Sequence, residues 1–241
     1  MKIGLVSCLM KDNDTKHQLK QIEHYVSTNH NCDLICFGES FLQGFEGLTW
    51  EYDEDIKRAL AKDDPIILHI RQLAKNYKCG ISFGFIEKEE DIIYGSNMVI
   101  DSCGEIIDVF RRVSTGWKEP IANSKYKEGK GFHTFTYMDK VLGVAICGDL
   151  WDDCFFKDLE QIKMDILLWP LYVDFSIEQW NKSFQKEYVE RTKKLPYPVL
   201  MINSFVEDPH RAKGGCYVLY RNEIVISLPM GNIGLLELEL Y

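Results

Sequence analysis

The chain has no long apolar run. No stretch of its 241 residues approaches the roughly 18 needed to span a bilayer, so an integral helical membrane protein is not expected. It has no surplus of positive charge either. With 28 Lys and Arg against 37 Asp and Glu, the formal net charge is −9. Nucleic acid and anionic membrane both call for a basic face, so neither is an expected partner. Histidine is scarce. The six residues are scattered, with no H-x-x-x-H pair, and Cys32 and Cys36 have no second cysteine pair at zinc-site spacing. No metal is therefore expected. Repeats, low-complexity tracts and Pro/Gly/Ser-rich linkers are also missing, which points to one domain over residues 1–241.

Cysteine is well represented, with eight residues. An even number suits disulfides in a small secreted fold, but a chain this long builds a full core without staples. The opening MKIGLVSCLMKDND carries one early lysine and a short apolar run, then turns polar without a small-residue cleavage site. It reads as a first strand, and a reduced, cytoplasmic protein is expected.

Strand-like and helix-like segments alternate. KIGLVSCL is followed by a helical stretch with Leu19, Ile22 and Val26 on one face, capped by Asn13 or Asp14. DLICF is a short apolar strand. Helices follow at about 53–61 and 65–77, the second opening on Pro65. The strands GISFGFIEK, IIYGSNMVID and EIIDVFRRV come next, then FHTFTY and KVLGVAIC joined near Met138 and Asp139. A helix at about 152–162, strand DILLWPLYV, a helix at about 177–194, and strands PVLMINSF, CYVLY, EIVISL and GLLELEL complete the chain. Arg221 and Asn222 fit a tight hairpin turn. The pattern predicts an α/β protein with helices outside sheets.

Three places hold candidate chemistry. Cys147 ends the run VLGVAIC, and GDLWDD follows at once. Val141 to Ile146 reads as a strand, and Asp149 or Asp152 as a helix start. A cysteine at such a turn, near backbone N–H groups and a helix N-terminus, has the surroundings that lower a thiol pKa and make a nucleophile. A small buried hydrophobe is the alternative on this segment alone. Glu39 ends DLICFGE between Phe37 and Phe41. Partial desolvation there raises a carboxylate pKa and suits a general base, although a solvated loop glutamate fits the segment too. The segment FRRVSTGWKEP supplies Arg111, Arg112, Lys118 and Glu119, cations and a carboxylate suited to steadying an oxyanion or to ordinary solvation.

Together these segments resemble the nitrilase superfamily, the carbon–nitrogen hydrolases, whose members use a Glu-Lys-Cys triad in that chain order. DLICFGESFLQGF resembles the glutamate segment and places the base at Glu39. GVAICGD resembles the cysteine segment and places the nucleophile at Cys147. FRRV stands where the family carries Y-R-K. DILLWP, VLMINSF, KGGCYVLYRNEIVIS and GLLELEL resemble the flanking strands in order, so the likeness spans essentially the whole chain. Three departures are present. Gly38 replaces the usual proline, Cys216 replaces a serine after the paired glycines, and Arg112 stands at the lysine position. Arginine keeps the charge but not the compact geometry of an ammonium. Lys118, six residues on, is the expected amine, with Arg112 nearby, and Glu119 fits the family's second glutamate.

The resemblance implies a four-layer α-β-β-α sandwich, two copies of which pack as a homodimer. It also implies hydrolysis of a small linear amide or N-carbamoyl compound through a cysteine thioester, without cofactor or metal. Gly148 would supply an oxyanion N–H, and Tyr172 is a candidate for the substrate pocket. The lysine departure motivates an alternative, a catalytically impaired relative that binds a small ligand or a partner.

Overall fold

A computed structural model describes residues 1–240. The strands are β1 (Lys2–Ser7), β2 (Leu34–Cys36), β3 (Gly80–Glu89), β4 (Ile92–Ile100), β5 (Ile106–Arg111), β6 (Thr134–Tyr137), β7 (Lys140–Val144), β8 (Ile166–Leu171), β9 (Val199–Asn203), β10 (Cys216–Tyr220), β11 (Glu223–Leu228) and β12 (Gly234–Glu239). They form two six-stranded sheets, ordered β12-β1-β2-β3-β4-β5 and β11-β10-β9-β8-β7-β6. Each sheet is mixed. The parallel pairs β1–β2 and β2–β3 in one match β7–β8 and β8–β9 in the other.

Alternation along the central strands explains the layering. In β1, Ile3 and Leu5 face the second sheet, and in β2 Leu34 and Cys36 do the same. Val6 and Ile35 point the other way, into a cluster with Ile22, Val26, Ile67 and Ile70. Those last four lie on α1 (Thr15–Thr28) and α3 (Pro65–Tyr77), on either side of the short α2 (Tyr52–Arg58). On β8, Ile166 and Leu168 meet the first sheet, whereas Leu167, Trp169 and Leu171 pack beneath outer helices. Those helices are α4 (Asp153–Gln161) and a second rod. The rod begins as α5 (Ile177–Gln179), passes through a π-helical turn over Trp180–Phe184 and continues as α6 (Gln185–Thr192). Strands buried on both faces, with helices over each outer face, give the α-β-β-α sandwich expected from the sequence.

Local signals decide the joints. Asp14 caps α1, accepting from the His17 N–H, and Asp152 caps α4, accepting from Cys154. Arg221 and Asn222 have φ of 50° and 67°, the left-handed pair that a tight β10–β11 hairpin requires. Strand β7 is shorter than the apolar run suggests and ends at Val144, not Ile146. Its ladder with β8 stops at the Val144–Leu168 pair, and the Ile146 N–H turns instead to the Asp149 carboxylate at 2.8 Å. Among the described residues no helix is long and apolar enough to cross a membrane. None of their His, Cys, Asp and Glu side chains form a group of three or more placed to hold a metal ion. All eight cysteines are unpaired.

Candidate active site

Strands β2, β5, β7 and β8 end together, and their ends carry the chemistry. Glu39 lies just past β2 and is buried. The chain is crowded there. A Cβ on Gly38 would fall 2.5 Å from Ser204 Oγ and 3.1 Å from the Leu171 carbonyl, so residue 38 must be small. This close approach explains a glycine where the family usually has proline.

The Glu39 carboxylate is held from two sides. Oε1 accepts from Arg112 Nη1 at 2.8 Å, and Oε2 accepts from the Tyr172 N–H at 3.2 Å. Burial raises the Glu39 pKa above the usual carboxylate value, and the Arg112 guanidinium works against that rise. Arg112 is itself 4% exposed and donates from Nε to Ser114 Oγ at 2.9 Å. It follows Phe110 and Arg111 at the end of β5. Alternation sends Arg111 to the opposite side, where it grips Glu87 through two bonds of 2.7 and 2.8 Å and lies over the Tyr94 ring. Adjacent arginines therefore serve different faces of one strand.

Cys147 lies within hydrogen-bonding reach of Glu39. Its thiol also points to the Tyr172 carbonyl, 4.0 Å away. Its φ is +41°, a left-handed conformation uncommon outside glycine. Two contacts hold that shape. Trp169 Nε1 donates to the Cys147 carbonyl at 2.9 Å, and Asp149 closes the turn behind it. The Asp149 carboxylate also accepts from the Val113 and Ser114 N–H groups at 3.1 and 2.8 Å. One buried aspartate thus ties the Cys147 turn to the segment carrying Arg112.

The electrostatics differ from the sequence expectation. Residues Cys147–Leu150 form a short 3-10 turn, and α4 starts only at Asp153, so no long helix directs its N-terminus at the thiol. Burial, then the neighbouring Glu39 charge, push the Cys147 pKa up to about 12, with Arg112 pulling it back in part. At rest the proton stays on sulfur.

The expected amine has partners other than Glu39 and Cys147. Lys118 Nζ pairs with Glu128 at 2.5 Å and donates to the Tyr126 carbonyl at 3.1 Å, while Arg112 holds Glu39. Lys118 lies beyond the end of β5 in a turn, and the partners nearest its amine are on the 126–128 segment. Lys118 and Glu119 nevertheless line a cavity of about 400 Å³ that reaches Glu39, walled by Phe45, Trp50 and Trp117. A larger hollow of about 600 Å³ lies between α4 and α6 and includes neither Glu39 nor Cys147. Tyr172 holds Glu39 through its backbone. Its ring stacks on Phe45 at 4.3 Å, and its hydroxyl accepts from Arg211 at 2.7 Å. Gly148 follows Cys147 directly. Ser114 and Asp149 are positioning residues that sequence reasoning missed. The aspartate of the GVAICGD segment was the available signal, but its partners lie more than thirty residues away.

The carbon–nitrogen hydrolase family profile matches residues 2–226, which includes Glu39, Arg112 and Cys147. The chain belongs to that family. It is 33% identical over 161 residues to a protein named "Probable nitrilase" from Schizosaccharomyces pombe, a match covering 64% of this chain and 56% of the relative. A cyanide hydratase of Penicillium rubens is 24% identical over 177 residues, 66% of this chain and 48% of the relative. The chain thus spans about half the length of such curated relatives. Among solved structures, an amidase from Nesterenkonia sp. superposes with a TM-score of 0.82 over 100% of this chain and 90% of its own, at 14% identity. The glutamine-dependent NAD+ synthetase of Acinetobacter baumannii gives 0.79 at 19% identity, over 98% of this chain and 44% of its own. At such identities the structural likeness establishes the fold of this carbon–nitrogen hydrolase family member and nothing finer.

Proposed function

We propose that this carbon–nitrogen hydrolase family member cleaves a small linear amide or N-carbamoyl compound through a thioester on Cys147. The observation that carries the reading is the buried Glu39 carboxylate, shared between Arg112 and the Tyr172 N–H and adjoining the Cys147 thiol. The raised thiol pKa keeps Cys147 protonated until a carbonyl carbon arrives, and the raised Glu39 pKa makes that carboxylate a stronger base than a solvated one.

In this scheme Glu39 takes the Sγ proton as Sγ bonds to the carbonyl carbon, and the π electrons move onto oxygen. The Arg112 guanidinium and the Gly148 N–H stabilise the oxyanion. One such donor typically contributes roughly 3–4 kcal/mol to the transition state. Protonated Glu39 then gives its proton to the leaving nitrogen as the C–N bond breaks. Water, deprotonated by Glu39, attacks the thioester. The acid departs and sulfur regains its proton. Lys118 and Glu119, on the cavity wall, orient the substrate rather than its reacting carbon. The protein works as a homodimer in a reducing, cytoplasmic setting, in keeping with its eight unpaired cysteines. A single monomeric species in sedimentation at micromolar concentration would remove the dimer from this account.

The test is acid quench of the protein mixed with a short amide, followed by peptide mass analysis. An acyl adduct on Cys147 supports the scheme, and turnover without any such adduct contradicts it. One observation favours a second reading, a ligand-binding relative without turnover. The Arg112–Glu39 pair at 2.8 Å draws basicity from the carboxylate. Turnover separates the two. Ammonia release from a short amide that disappears in Glu39→Gln fits the hydrolase, and saturable binding of the amide without release fits the binding protein.

A further inference from the structure

The guanidinium of Arg112 is wider than the ammonium it replaces, and its three nitrogens face three different groups. Nη1 meets Glu39 and Nε meets Ser114. The third, Nη2, lies against the backbone of residue 148. A Cβ built there would be 2.4 Å from Nη2, 3.2 Å from Ser114 Oγ and 3.4 Å from the Arg112 Cζ. A non-bonded contact of 2.4 Å does not occur between real atoms, so one group would have to move. A flexible arginine end would ordinarily swing away. This one is 4% exposed and fixed through its other two nitrogens, so yielding to a Cβ means loosening the bond to Glu39 or to Ser114. The φ of Gly148 is not in the left-handed range, so the glycine is required for space rather than for backbone conformation.

We infer that Gly148 and Arg112 are a matched pair: the missing side chain at 148 makes the room that lets an arginine do a lysine's work beside Cys147. Gly148 is thus a positioning residue through the side chain it lacks, separately from any donation by its N–H. Nη2, brought against the peptide next to the nucleophile, is directed to the region where the carbonyl oxygen of a bound amide becomes an oxyanion. The catalytic part of this inference rests on the hydrolase reading, and the steric part does not.

A double-mutant cycle on the full chain tests both parts. The variants are Gly148→Ala, Arg112→Lys and the two combined, in a Cys103→Ser/Cys154→Ser background that removes the two exposed thiols. Two quantities are read: the melting temperature, and the rate of Cys147 alkylation by iodoacetamide as a function of pH. Gly148→Ala alone is expected to lower Tm by about 4 °C, the usual size of an overpacking effect in a chain of this length. It should also slow alkylation at pH 7.5 by about ten-fold, the effect of losing a nearby charge or donor worth one pKa unit. Arg112→Lys alone leaves the slot empty. Adding Gly148→Ala to it should then cost nothing further in either quantity, because the ammonium has no second fork nitrogen to collide with the methyl. Equal losses from Gly148→Ala in the arginine and lysine backgrounds would overturn the inference, as would a Gly148→Ala protein indistinguishable from its parent. If the melting temperatures couple and the parent releases no ammonia from any short amide or N-carbamoyl compound, the steric pairing stands and the hydrolase reading falls.

Discussion

Two ion pairs follow the end of β5, their cations six residues apart in sequence, and they differ in almost every physical respect. Arg112 and Glu39 are 4% and 5% exposed through their side chains, whereas Lys118 and Glu128 are 21% and 23% exposed. The first pair joins two strands 73 residues apart and adjoins the thiol. The second closes a local loop on the cavity wall. Burying two charges costs several kcal/mol per ion, and their attraction offsets that only when the remaining donors and acceptors are also satisfied. At Arg112 and Glu39, Ser114 and the Tyr172 N–H take up one donor and one acceptor of the pair. Lys118 is less enclosed, and its amine is met by Glu128 and the Tyr126 carbonyl. The lesson is that a cation's distance along the chain from a motif says little about its chemistry, and that burial decides which one is committed.

Removing the carboxylate is the sharpest way to break the comparison. Glu39→Gln leaves a buried guanidinium uncompensated, and chemical denaturation should register a loss of about 3–5 kcal/mol. Amide hydrolysis, followed by ammonia release, should fall by about 10⁴-fold in the same variant, since base and nucleophile act as a unit. The complementary change, Glu128→Gln, should cost about 1 kcal/mol, as for a partly exposed pair.

These expectations reflect what the sequence makes legible. Glu39 and Cys147 each end an apolar run, and such ends are visible from β-propensity and the turn residues after them. The sandwich follows from strands apolar on both faces alternating with amphipathic helices. The site cation is less visible. Phe110 is buried between the sheets, so alternation along β5 puts Arg112 on the inward face and Arg111 outward. That signal is present in FRRV, where the β5 alternation directs the second arginine inward. Lys118 lies past the strand, where no periodicity fixes the direction of a side chain. Asp149 was readable only as a turn or cap residue, because its bonds to Val113 and Ser114 cross the fold. The thiol pKa is hidden from the sequence for a related reason. Nothing local reveals that burial and Glu39 dominate over a turn of only four residues.

A pH experiment sharpens the same contrast with a smaller effect. The Cys147 thiol rises from an ordinary 9.0 to about 12 on folding. Between those values the unfolded chain has lost this proton and the folded one keeps it, so stability falls as pH rises. The contribution is fully present below about pH 9 and shrinks by up to about 1.4 kcal/mol per unit above it. Cys147→Ala should flatten that part of the stability–pH curve between pH 9 and 11 relative to the parent. An unchanged slope would mean that the thiol is not held protonated by its surroundings.

The smallest effect belongs to Lys118. Lys118→Met should leave stability within about 1 kcal/mol, as for a partly exposed pair. It should change KM for amides with polar tails more than kcat, because the amine touches the cavity and not Glu39. A loss of kcat comparable with that of Glu39→Gln would return Lys118 to the reacting centre.

The most direct test of the site as a whole is ammonia release from a panel of short amides and N-carbamoyl amino acids by the parent protein and by Cys147→Ala. The account predicts turnover of at least one compound by the parent and none above the uncatalysed rate by the variant. Equal rates for the two proteins would contradict it.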